Sequence, residues 1–112
     1  PVVRQGDDVW FNIVKWSHIA MLNAEELGIT KANVDSMLKS KNPNVKRLLG
    51  ESGNAGKNLG LDAKWAYNII KNVGNYGESF ARNVGSKSPL QINRGLNKLW
   101  TDGGLQYGAP IR

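Results

Sequence analysis

The chain has 112 residues, 40% of them hydrophobic and 21% charged, with a formal charge of +6 and no cysteine. Such a chain fits one globular domain that buries roughly two-thirds of its unfolded surface, and it excludes a disordered tail, a disulfide scaffold and a thiolate metal site. No apolar run approaches the roughly 18 residues that span a bilayer. The fifteen Lys and Arg residues are scattered. Their densest cluster is Lys39, Lys41, Lys46 and Arg47, without interleaved aromatics, so a solvated basic face is expected and a nucleic-acid partner is not.

In chain order, Pro1, Val2 and Val3 read as an extended lead-in able to end a β-strand, whose pairing partners would then lie outside this sequence. Residues 6–28 read as one long amphipathic helix. Asp7 or Asp8 caps its start, and Gly28 can take the left-handed conformation that closes it. Trp10, Phe11, Ile13, Val14, Met21, Leu22 and Leu27 recur at three- and four-residue steps, with Ala20 and Ala24 as small neighbours. A face this wide requires a partner.

Thr30 caps a second expected helix that runs to about residue 40, with Val34, Met37 and Leu38 as its stripe. Asn42 and Pro43 open a short helix that Gly50 ends. Residues 51–60 are glycine-rich and polar and read as a surface loop, without the spacing of a phosphate-binding turn. Asp62 caps the next helix, whose buried face is Trp65, Ile69, Ile70 and Val73 and whose stop is Gly74. Asn75 opens another that ends at Gly85, with Glu78 and Arg82 spaced as a surface ion pair. After a loop at residues 86–89, a last helix over 93–104 is expected to turn Leu96, Leu99 and Trp100 inward. The tail at 105–112, with Tyr107 and Pro110, should lie extended on the body. No internal repeat is visible.

Few residues invite chemistry. His18 is the only histidine and lacks the second ligand of a metal shell, so a structural or surface role is expected. Asp7 and Asp8 read as caps rather than a catalytic pair. Trp10, Trp16, Trp65 and Trp100 read as core or interface. Glu78, Ser79 and Phe80, followed by Gln91 and Ile92, superficially resemble the signature of lytic transglycosylases. The spacing is too short, and Arg82 one turn on would lower the pKa that a catalytic acid needs raised. No catalytic, metal-binding or cofactor-binding residue is assigned, and no enzyme activity is expected.

The stretch LGLDAKWAYNIIKNVGNYG at residues 59–77, the ESF after it, the segment SPLQINRGLNKLWTDGGLQYGAPIR at 88–112 and the opening PVVRQGDDVWFNIVKWSHIAMLNAEELGI closely resemble one family. They are similar to the C-terminal region of the general L-amino-acid-binding periplasmic proteins, the solute-binding components of polar amino-acid ABC transporters. The resemblance implies a mainly α fold, several short helices after one long helix, as the C-terminal part of a two-lobed α/β receptor. It also implies a periplasmic location, a free L-amino acid as ligand and a membrane permease as partner. The family's ligand residues lie upstream, so none is carried onto this chain. Only roughly the last third of the family's length is present, which makes the expectation a fragment or truncated form, one helical module over 1–112, unable to bind amino acid alone. The start at Pro1 fits a processed product, an excised domain or a trimmed form.

In that family the long helix covers one face of a sheet that this chain lacks. Hiding a few hundred Å² of apolar surface is worth several kcal/mol at about 25 cal/mol per Å² before association costs. We therefore expect Trp10, Phe11, Ile13, Val14 and Met21 to form an interface, in a homodimer or with a missing receptor segment. The rival expectation is a small basic helical module that binds an acidic protein or nucleic acid through Lys39, Lys41, Lys46 and Arg47.

Overall fold

The computed structural model describes residues 1–111. The long helix forms as expected. The Asp7 carboxylate accepts the Trp10 amide at 3.1 Å, α1 spans Asp8–Glu26, and Gly28 (φ +70°) lets the Ile29 amide return to the Ala24 carbonyl at 2.8 Å. Residues 1–3 pair with no strand.

The second helix is shorter than predicted. Thr30 and Asn33 do cap each other, amide to side chain in both directions, but only Val34–Met37 is helical (α2). Beyond it the Lys39 and Ser40 amides reach back three residues instead of four, to Ser36 and Met37. The approaching Asn42–Pro43 pair disfavours helix in the residue before proline. Asn42 is extended, accepts the Asn44 amide at 2.9 Å and opens α3 (Pro43–Leu48). Gly50 ends it where no other residue fits, since a Cβ there would lie 2.0 Å from the Ala63 carbonyl oxygen.

The expected loop at 51–60 contains one helical turn, α4 (Ala55–Asn58). Gly56 is buried in it, packed so closely on the Asp62 carbonyl and the Trp65 ring that the turn serves as a shelf under the next helix. That helix, α5, covers Trp65–Val73, and Asp62 caps the turn before it by accepting the Lys64 amide. Trp65, Ala66 and Ile70 are buried and Ile69 half-buried, whereas Val73 is exposed at the helix end, contrary to the sequence reading.

Asn75 opens α6 (Tyr76–Asn83) with a capping box. The predicted Glu78–Arg82 pair does not form. Glu78 Oε2 accepts the Asn75 and Lys31 amides, and Arg82 donates to the Val73 carbonyl. The last predicted helix is replaced by two 3₁₀ turns, Gly95–Asn97 and Trp100–Asp102. Between them Lys98 and Leu99 are extended, and the returning tail bonds to this stretch: the Gln106 amide donates to the Lys98 carbonyl, the Leu105 amide to the Leu96 carbonyl, and the Trp100 amide to the Gln106 carbonyl. Leu99 is buried, but Leu96 and Trp100 point outward. The tail does fold back: the Asn23 side chain donates to the Ala109 carbonyl at 2.9 Å, Gly108 is buried against Asn23, and Ile111 packs on the core. Arg112 lies outside the described residues.

The core gathers Ala20, Ala24, Ile29, Val34, Val45, Leu49, Trp65 and Ile70 where α1 meets α3, α5 and α6. The architecture is therefore mainly α, with no β-strand among the described residues beyond an isolated Leu99–Gln106 bridge. None of the described helices is long and apolar enough to cross a membrane.

One buried polar side chain joins these parts. Asn75 donates to the Ile29 carbonyl at 2.9 Å, accepts the Glu78 amide at 3.0 Å and is itself 6% exposed. Asn75→Ala should therefore cost about 2–4 kcal/mol, the sum of a lost cap and an orphaned buried carbonyl, while exposed Arg82→Ala stays within about 0.5 kcal/mol. Urea unfolding followed by circular dichroism at matched protein concentration checks both.

Candidate functional site

The apolar stripe of α1 is longer than the body beneath it. In its second half Ala20, Leu22 and Ala24 are buried against α3, α5 and α6. In its first half Val9, Trp10 and Phe11 are 70%, 51% and 48% exposed. Of the five residues expected at an interface, Trp10 and Phe11 are thus exposed and Ile13, Val14 and Met21 half-buried. Phe11 and Val14 form one wall of a groove of about 490 Å³ whose other wall is the lead-in, residues 1–8. This surface can bury apolar area against another surface.

The opposite flank of α1 is closed by a polar joint. Arg94 grips the Glu25 carboxylate with two bonds of 2.6 and 3.2 Å, and both side chains are less than a quarter exposed. Its guanidinium lies over the rings of Tyr76 and Phe80, 5.2 and 5.5 Å from their centroids. His18 sets its ring at right angles to Tyr76, 5.3 Å away, so it is a packing residue. Gly77 permits this closeness, since a Cβ there would fall 2.7 Å from Glu25 Oε1. Sequence reading missed the Glu25–Arg94 pair because its members are 69 positions apart and no local spacing links them.

The other candidates also resolve structurally. Asp7 caps α1, and Glu78 Oε2 accepts the backbone amides of Asn75 and Lys31. Trp65 is buried, Trp16 packs against the core, and Trp10 and Trp100 are half exposed. No cluster of metal-ligating side chains occurs among the described residues. Lys39, Lys41 and Lys46 are exposed and Arg47 is half-buried.

On the surface between α2 and α5, Tyr67 donates to Asp35 at 2.7 Å and Lys71 pairs with the same carboxylate. The Lys71 ammonium, and then the Tyr67 hydroxyl, hold the Asp35 carboxyl below its ordinary value. Hydrogen bonding to Asp35 raises the pKa of both partners.

No protein-family model matches the sequence. Among curated proteins the chain is 60% identical over 113 residues to the putative amino-acid ABC transporter-binding protein YhdW of Escherichia coli K12. It is 59% identical over 114 residues to the general L-amino acid-binding periplasmic protein AapJ of Rhizobium johnstonii. It is 50% identical over 113 residues to the glutamate/glutamine/aspartate/asparagine-binding protein BztA of Rhodobacter capsulatus. In each case the whole chain matches 33% of the relative, so it spans about a third of their length. A solved ABC transporter periplasmic binding protein from Brucella ovis with glutathione bound superposes with a TM-score of 0.94 at 61% identity. That match covers 98% of this chain and 35% of the other. The chain fits a C-terminal region of the amino-acid periplasmic binding proteins of ABC transporters, and its helices form part of one of their lobes.

The Asp35 cluster predicts a pH dependence with a definite sign. A lowered carboxyl pKa contributes stability that is present above the unfolded value, about 3.9, and is lost as pH falls through the folded value. The raised Lys71 pKa contributes below its unfolded value, about 10.4, and that part is lost at higher pH. The stability difference between the native chain and Asp35→Asn should therefore be present at pH 7 and shrink below about pH 4, as read from urea midpoints across that range.

Proposed function

We propose that this chain is the C-terminal third of a periplasmic receptor that delivers free amino acids to an ABC importer, and that it has no enzyme activity. The carrying observation is 60% identity along the whole chain to a relative of which it matches only 33%, together with a long helix whose first turn, Val9 to Phe11, is exposed. The ligands named for the relatives are L-amino acids, and the solved neighbour holds glutathione. All carry an α-amino-acid group, which sets the substrate class for the whole receptor.

Residues 1–112 act in this reading as one helical module that supplies scaffold to a lobe rather than ligand contacts. In a complete receptor Trp10, Phe11, Ile13, Val14 and Met21 pack on the missing sheet beside the lead-in. In this chain alone a second copy covers them, giving a homodimer. The rival reading, a basic module using Lys39, Lys41, Lys46 and Arg47, gains no support from relatives that are all solute-binding transport proteins.

Two measurements test this. Size-exclusion chromatography with light scattering should give a dimer at micromolar concentration that Trp10→Lys with Phe11→Ser converts to monomer; a native chain that is monomeric there refutes the dimer. Calorimetry against a panel of free L-amino acids should show no micromolar affinity, and any such affinity would overturn the scaffold role.

A further inference from the structure

Four separate stretches of the chain meet in a pocket of about 270 Å³ beside the first half of α1. Asn12 and Trp16, one turn apart on α1, line it together with Ala55, Asn58 and Leu59 of α4 and its cap, Trp65 at the start of α5 and Ile111 of the tail. The apolar members are held from behind. Trp65 is buried, with its ring so close to Gly56 that a Cβ there would lie 3.0 Å from Cδ1, and Trp16, Leu59 and Ile111 pack on the core. Asn12 and Asn58 are the exposed members of the lining, so the opening carries two carboxamides, each able to donate and to accept. The chain has fifteen Lys and Arg and nine Asp and Glu residues, yet none of them lines this pocket. The lead-in groove, by contrast, holds Arg4, Asp7, Asp8 and Lys15.

We propose that this pocket binds a small uncharged aromatic molecule with one hydrogen-bonding edge, a phenol by chemical class. The charge-free lining sets the class: an ionised group pressed into it would lose its hydration and meet no counter-charge, so carboxylates, ammonium ions and zwitterions are turned away. Two indoles favour a flat ring, which they meet edge-to-face or offset, and a single hydroxyl suits a carboxamide at the opening. Size allows one ring, since apolar cavities of roughly 150 Å³ already admit a benzene-sized molecule. The site is shallow and its ligand small, so Kd is on the order of 1 mM. The pocket shares no residue with the lead-in groove, so a ring can occupy it in monomer and dimer alike.

The four tryptophans make the test selective. When the isotopically labelled chain is titrated with phenol to about 10 mM and followed by NMR, the indole N–H signals of Trp16 and Trp65 should move and saturate. Those of Trp10 and Trp100, 51% and 52% exposed, should stay in place. Benzoate and benzylamine, the charged analogues, should give no saturating shift at Trp16 or Trp65, and Ala55→Leu, which fills the pocket, should weaken phenol binding about tenfold. Should Ala55→Leu disturb the dispersed spectrum, Asn58→Phe at the exposed opening replaces it. Shifts at Trp10 and Trp100 as large as those at Trp16 and Trp65, a charged analogue that binds as tightly as phenol, affinity indifferent to the filling substitution, or no saturable shift at all would each overturn the proposal.

Discussion

A helix whose apolar stripe outruns the body it packs on must leave the surplus in water or bury it elsewhere, and α1 is such a helix. Of its nineteen residues, those from Ala20 onward include the fully buried ones, Ile13, Val14 and Trp16 are half covered, and the apolar first turn is exposed. The exposed rings of Trp10 and Phe11 follow directly from that mismatch of lengths. The chain superposes closely on about a third of a larger solved periplasmic binding protein.

Where the helices do meet, small polar joints set their relation as much as apolar contact does. Apolar packing tolerates sliding and rotation, whereas a buried amide with fixed partners does not. Asn75 ties the start of α6 to the residue that follows α1, and Arg94 ties the segment after α6 to Glu25 while covering Tyr76 and Phe80. Gly77 sits beneath that clamp and admits the close approach. The stretch from Trp65 to Glu78 therefore concentrates the core of α5, a left-handed stop at Gly74 and the buried capping box in one run.

These joints also place the two surfaces to which a role is assigned. The clamp closes one flank of α1, and the Trp10 end of the helix is exposed. The tail, held by Asn23, brings Ile111 to the pocket lined by Trp16 and Trp65.

What sequence alone determined were the features that act within a few residues of their cause. Asp7, Asn42 and Asn75 start helices because a side-chain oxygen meets amides two or three positions on. Gly28, Gly50 and Gly74 end them because only glycine adopts their backbone cheaply. The family resemblance and the mainly α class were legible for the same reason: they are carried by runs of adjacent residues. Tertiary structure decided the rest. The expected helix over 93–104 gave way because the tail captures the Leu96 and Lys98 carbonyls, and Glu78 accepts the amides of Asn75 and Lys31 in place of Arg82. The Glu25–Arg94 clamp, the pocket shared by Trp16, Leu59, Trp65 and Ile111, and the burial of one end of α1 with exposure of the other all depend on which distant segments arrive. Such contacts leave no periodic trace along the chain, because the distance that matters to them is through space.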